Sequence, residues 1–131
     1  SDRSILRAIH FFNENKRPIK EFNALKNNNF SEFLMLIKES GHSSYMYNQN
    51  IYRADTPNEQ SISLALSLSE IILSDKGASR IHGGGFAGTI QAFVPNDLLY
   101  NYVNKIENIF GKGSCLVLKI RPVGSIKLEE K

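Results

Sequence analysis

Apolar residues recur at helical intervals through the first part of the chain. Ile5, Ile9, Phe12, Ile19 and Phe22 fall close together on a helical wheel and predict a helix over about residues 3 to 26. Pro18 lies inside that span, lacks an amide proton and crowds the carbonyl of Glu14, so a kink or restart is expected there. The tract Asn27-Asn28-Asn29 ends the segment, because asparagine favours turns. Ser31 then caps a second helix carrying Phe33, Leu34, Met35, Leu36 and Ile37, which bends or stops near Gly41. The stretch HSSYMYNQNIYRAD is polar and aromatic without a clear period and reads as a largely extended connection.

Thr56-Pro57-Asn58-Glu59 has the form of a capping box: Thr at the N-cap, Pro at the first helical position and Glu at the third. The helix it predicts runs to about Ser74, with Ile62, Leu66, Leu68, Ile71 and Ile72 inward, and Lys76-Gly77 stops it. A strand (about 78 to 82), a glycine-rich loop and a second strand (about 88 to 94) follow. Pro95-Asn96-Asp97 opens a helix with Leu99, Tyr102, Val103, Ile106 and Phe110 on its apolar side. Gly111 ends it in the left-handed conformation. CLVLKIR, about 115 to 121, is a last strand, broken by Pro122 and Gly124, and the tail SIKLEEK is loose or weakly paired. This order predicts one α+β domain over residues 1 to 131, an antiparallel sheet of three strands with helices on one face. So small a sheet leaves edges that another chain can pair.

The totals narrow the function classes. Hydrophobic residues make up 41% and charged residues 22%, ordinary for a globular protein. No apolar run approaches the ~18 residues of a membrane span, and no series reads as a signal peptide. The formal charge is +3, but the 16 basic residues form no block, so no nucleic-acid partner is expected. A single cysteine, Cys115, excludes an internal disulfide and fits a reducing compartment; its apolar surroundings favour a core thiol over a nucleophile. The opening residues enter a helical pattern directly, as in a processed product or a piece of a longer protein.

The candidate chemistry gathers at RIHGGGFAGTIQAFVP. Gly83, Gly84, Gly85 and Gly88 fall within six positions, more freedom than a hairpin needs. Such a loop can cradle phosphate, because successive N–H groups share one concavity and no Cβ blocks approach. It matches neither the P-loop nor the dinucleotide fingerprint, and a strand rather than a helix follows it. Spacing alone leaves a phosphate loop and a wide turn equally open. Arg80 could neutralise phosphate or cap the sheet, and His82, adjoining the loop, is the histidine with a candidate role. His10 and His42 are too scattered to make a metal set with it and read as a helix-rim and an exposed residue. The run Glu39-Ser40-Gly41-His42-Ser43-Ser44 holds hydrolase residue types but no nucleophile elbow. Asp55, Asp75 and Asp97 all sit at helix ends or turns. No catalytic residue and no metal site are therefore assigned within this chain.

SRIHGGGFAGTIQAFVP resembles the third conserved motif of the GHMP small-molecule kinases, in the galactokinase form Ala-Arg-Met-Thr-Gly-Gly-Gly-Phe-Gly-Gly-Cys. RAIHFFNENKRPIKEFNALKNNNFSEFLMLIKESGHSS is similar to the helical stretch of galactokinases, and CLVLKIRPVG resembles their closing strand with its Arg-Pro-x-Gly ending. Gly83, Gly84, Gly85, Phe86 and Gly88 match the motif's core, and Arg80 takes the place of its basic residue. His82, Ala87 and Thr89 depart from the usual Thr, Gly and Cys.

The resemblance covers nearly the whole chain but only the C-terminal part of a galactokinase. It implies the GHMP C-terminal domain, a ferredoxin-like sheet of three or four strands against helices. It also implies a cytoplasmic kinase that moves phosphate from ATP, with Mg2+, to the 1-hydroxyl of galactose. The sugar signature, nucleotide loop, metal ligands and catalytic aspartate would lie in an N-terminal domain absent from this sequence. The glycine loop, Gly83, Gly84, Gly85, Phe86 and Gly88, would support the ATP phosphates, with Arg80 and His82 as auxiliary candidates. The chain alone is then expected to be inactive. Its partners are galactose, ATP and its own N-terminal domain, with dimerisation through exposed surface also open. Rival readings are a galactokinase-like sugar and ATP sensor, another sugar or mevalonate-pathway kinase, and a stand-alone binding module.

Overall fold

The computed structural model describes residues 1–86 and 88–127. Among them are four α-helices, α1 (Asp2–Lys26), α2 (Phe30–Ser43), α3 (Ser61–Leu73) and α4 (Leu99–Phe110), and two strands, β1 (Ala78–Ile81) and β2 (Ile90–Phe93). The strands pair antiparallel, with Ala78 opposite Phe93 and Ile81 opposite Ile90.

The chain enters α2 through a turn that the asparagines build. Asn28 takes φ +55, and the amides of Asn28 and Asn29 close back on the carbonyls of Leu25 and Ala24 at 3.0 and 2.8 Å, a Schellman ending. Asn29, not Ser31, is the N-cap of α2: its side chain accepts from the Glu32 amide at 3.2 Å and donates to the Glu32 carboxylate at 2.9 Å. The helix does not stop at Gly41. It runs on to Ser43 and into a π-helical turn, Ser44–Asn48, so the first half of the stretch expected to be extended is helical. Gly41 serves packing instead: a Cβ there would lie 3.1 Å from the carbonyl oxygen of Ser79, so its absence lets α2 settle on β1.

Four other local expectations are altered. Thr56–Glu59 closes a turn, with the Glu59 amide on the Thr56 carbonyl at 3.0 Å, and α3 begins only at Ser61. Gly111 has φ +98 and ψ 153, a glycine-only region but not the left-handed helical one. Ile71, expected inward, is 76% exposed on the outer side of α3. Pro18 neither stops nor restarts α1, which is assigned as one 25-residue helix around it.

Three apolar clusters hold these elements. Ala24, Phe33, Leu34, Leu36, Ile37 and Ala78 join α1, α2 and β1, with Phe93 packed edge-on against Phe33 at 5.1 Å between ring centroids. Ile51, Ile62 and Ile81 lie under the glycine-rich turn, and Leu73, Tyr102 and Ile106 join α3 to α4. Gly77 sits between clusters, where a Cβ would meet the Phe93 carbonyl at 2.5 Å and Leu73 at 3.0 Å. Gly77→Ala is expected to lower stability by about 1–3 kcal/mol, read as a shift in urea midpoint at constant slope. An unshifted midpoint would show that the backbone relaxes freely there.

The strand expected at about 115–121 does not form. Residues 114–121 join no ladder, and Leu116, Leu118 and Ile120 are 82%, 84% and 88% exposed. A strand is held by hydrogen bonds to a neighbour, and this segment pairs with neither β1 nor β2. The described sheet therefore has two strands rather than three or four. The last four residues of the tail lie outside the described residues.

α1 is unusual in orientation. Its inward side carries Leu6, His10, Glu14, Arg17, Glu21 and Ala24, whereas Ile5, Phe12, Ile19 and Phe22, the residues that define its periodicity, face outward. The inward side is instead a polar seam. Arg17 donates to Glu14 at 2.7 Å and to Glu39 of α2 at 2.6 Å, and the fully buried Ser40 hydroxyl donates to the other oxygen of Glu14 at 2.6 Å.

Candidate functional site

The glycine-rich turn joins β1 to β2 and is closed by the His82 amide on the Thr89 carbonyl at 3.1 Å. Gly83, Gly85 and Gly88 take φ of +69, +80 and +77, and Phe86, without a glycine's freedom, is held at +59. A left-handed non-glycine residue costs on the order of 1–2 kcal/mol, so the turn keeps a strained residue at its tip. Ala87, which departs from the motif's usual glycine, lies outside the described residues.

The glycines are not equivalent. A Cβ on Gly83, Gly84 or Gly88 would meet nothing within 4 Å, so these positions line open space. A Cβ on Gly85 would lie 2.2 Å from the Asn50 carbonyl oxygen and 2.6 Å from its Nδ2. One glycine lets backbone touch backbone, and the others leave a bare face. The partner is Asn50, 4% exposed: its carbonyl accepts from the Phe86 amide at 3.2 Å and its side-chain amide donates to the Gly84 carbonyl at 3.2 Å. Sequence reasoning missed Asn50, which belongs to no motif and meets the turn across 34 positions of chain.

Arg80 and His82 part company. Arg80 is half-buried on β1, donates to the Ile81 carbonyl at 3.2 Å, and lies within charge range of His10, Glu14 and Glu21 on α1. It joins the polar seam under the hairpin. His82 is exposed at the start of the turn. An open groove of about 820 Å3 runs beside the turn, lined among others by Arg3, Tyr45, Tyr52, Arg53 and Phe86.

His10 meets the Ser43 hydroxyl at 2.9 Å, and burial pushes its imidazole below the ordinary value. Burial alone would raise the Glu14 carboxyl, but the hydrogen bonds from Ser40 and Arg17 outweigh it and bring the pKa below the usual range. Glu21, with one carboxylate oxygen buried and unpartnered, is raised by burial. His42 is exposed, and Asp55 pairs with Arg53 at the surface. Cys115 packs against the α3–α4 cluster, and burial, then the charge of Glu107, pushes its thiol up, so little reactive thiolate exists near neutrality. Among the described residues no three His, Cys, Asp or Glu side chains gather as a metal site, and no helix is long and apolar enough to cross a membrane.

A galactokinase of Haemophilus influenzae strain Rd is 32% identical to the chain over 91 residues, 70% of the chain and 22% of the galactokinase. Galactokinases of H. influenzae strain PittEE and of Glaesserella parasuis serovar 5 match at the same identity and over the same shares. The chain thus spans about a fifth of the length of the curated relatives it matches. No protein-family model matches it, and no solved structure matches it significantly. Together with the motifs in its sequence, these matches make the chain a galactokinase-related segment, akin to the C-terminal part of those enzymes.

Proposed function

We propose that this segment is the C-terminal domain of a galactokinase of the GHMP fold, and that its glycine-rich turn supports the phosphates of ATP from the side opposite the nucleotide loop. The observation that favours this reading is the asymmetry of the turn. Gly85 is pressed against Asn50, while Gly83, Gly84 and Gly88 leave an open face without side chains. A plain hairpin needs neither the close approach nor the strained Phe86. Without Cβ atoms in the way, successive backbone amides can come close to an anion.

Phosphoryl transfer depends on positioning and on electrostatic stabilisation of the transferred group. In this reading the chain contributes positioning. MgATP and galactose are substrates whose remaining contacts, including the metal ligands and the catalytic base, belong to the N-terminal domain.

The test compares two proteins in a coupled assay. The full-length protein is expected to convert galactose and MgATP to galactose 1-phosphate, and the 131-residue chain to show no turnover. Turnover by the chain alone would mean that the active site is misplaced. Full-length protein that binds both substrates without turnover would replace the kinase by a sensor.

A further inference from the structure

Asn50 contacts the glycine-rich turn at two consecutive peptide groups. Its side-chain amide holds the carbonyl of the Gly84–Gly85 peptide, and its main-chain carbonyl holds the N–H of the Gly85–Phe86 peptide, each at 3.2 Å. In a trans peptide the C=O and N–H point in opposite directions. Pinning the Gly84 carbonyl toward Asn50 therefore turns the Gly85 N–H away from it, to the open side. The same rule turns the Gly85 carbonyl away, so one residue sets the order of donors and acceptors along the turn. A glycine peptide released from such a hold flips easily, because glycine populates both signs of φ. A flip of the first peptide would point the Gly84 carbonyl, rather than an N–H, at an approaching anion.

The setting of Asn50 is also costly for a merely structural residue. It is 4% exposed, and its Oδ1 is buried with no hydrogen-bond partner among the described residues. Buried polar atoms are normally paired. Gln49, just before it, takes φ +56, which swings Asn50 off the end of the π-helical turn toward the hairpin.

We propose that Asn50 is a positioning residue, the latch that keeps the Gly85 N–H facing the phosphate-binding side. The proposal rests on the galactokinase reading above, and its test separates the two. Asn50→Ala removes the side-chain donor and keeps the main-chain carbonyl. Asn50→Asp keeps the shape but sets a carboxylate oxygen against the Gly84 carbonyl, and serves if the alanine variant does not fold.

Amide hydrogen exchange on the 131-residue chain is expected to be at least about 10-fold faster for Phe86, whose N–H bonds the Asn50 carbonyl, in either variant, with the α2 amides unchanged. In the full-length protein KM for ATP should rise about 10-fold, more for Asp than for Ala, while KM for galactose stays within about twofold. Unchanged exchange in the turn would overturn the latch. Faster exchange with both KM values unmoved, or moved together, would overturn the positioning role. A wild-type full-length protein with no ATP-dependent turnover would overturn the kinase reading and the positioning role with it, whatever the exchange shows.

Discussion

Gly85→Val in the full-length protein is expected to lower kcat/KM for ATP by about 10- to 1000-fold, or roughly 1.4–4 kcal/mol of transition-state stabilisation. Two features of the turn make the effect large. Gly85 has φ +80, where a β-branched residue is strained, and even a bare Cβ would overlap the Asn50 carbonyl at 2.2 Å. The turn must lift off Asn50 to admit the side chain, which releases both peptides at once. KM for galactose should change much less, because the sugar's contacts lie in the other domain in this reading. Paired steady-state titrations, with a thermal melt to confirm folding, separate the cases. A folded variant with normal ATP kinetics would leave GGGFAG as a turn and nothing more.

Arg17→Met should destabilise the domain by about 2–4 kcal/mol at neutral pH. Removing one partner of a buried ion pair typically costs ~3–5 kcal/mol, and the half-exposed Glu39 moderates the loss here. The damage falls on Glu14, which would keep a partly buried carboxylate facing Ser40 with no countercharge within hydrogen-bonding reach. The pH dependence follows from sign. The Glu14 carboxyl lies below its ordinary value in the folded chain, so its contribution is present above the unfolded carboxylate pKa and is lost as pH falls through the folded one. The gap between wild type and Arg17→Met should therefore narrow in acid, and adding Glu14→Gln should recover part of the loss at neutral pH. Chemical denaturation across the pH range checks this. A variant as stable as wild type at neutral pH would show that the seam contributes nothing.

What could be read from the sequence was whatever short-range chemistry decides. The β1–turn–β2 hairpin, the asparagine turn and the apolar side of α4 (Tyr102, Ile106, Phe110) all depend on neighbours a few residues away, and all stand where expected. The start of α3 was misjudged because Thr56, Pro57 and Glu59 suit a tight turn as well as a helix cap. Gly41 and Gly77 looked like stops, yet a strand carbonyl would lie 3.1 Å and 2.5 Å, respectively, from a Cβ at these positions. Asn50 was invisible because its importance lies in which carbonyl it meets, and that is decided by tertiary contact alone. The segment 115–121 has strand composition, but composition supplies no ladder partner.

The outward apolar side of α1 bears on the thermodynamics of the isolated chain. Heat capacity and denaturant sensitivity follow the apolar surface that unfolding newly exposes. Ile5, Phe12, Ile19 and Phe22 are 61–66% exposed before unfolding begins, so they add little to either. Their helix is joined to α2 largely through carboxylates, a guanidinium and hydroxyls, whose exposure lowers heat capacity instead. A flatter stability curve over temperature follows, with the α1–α2 contact holding in the cold, where hydrophobic cohesion weakens, and loosening first in salt and in acid.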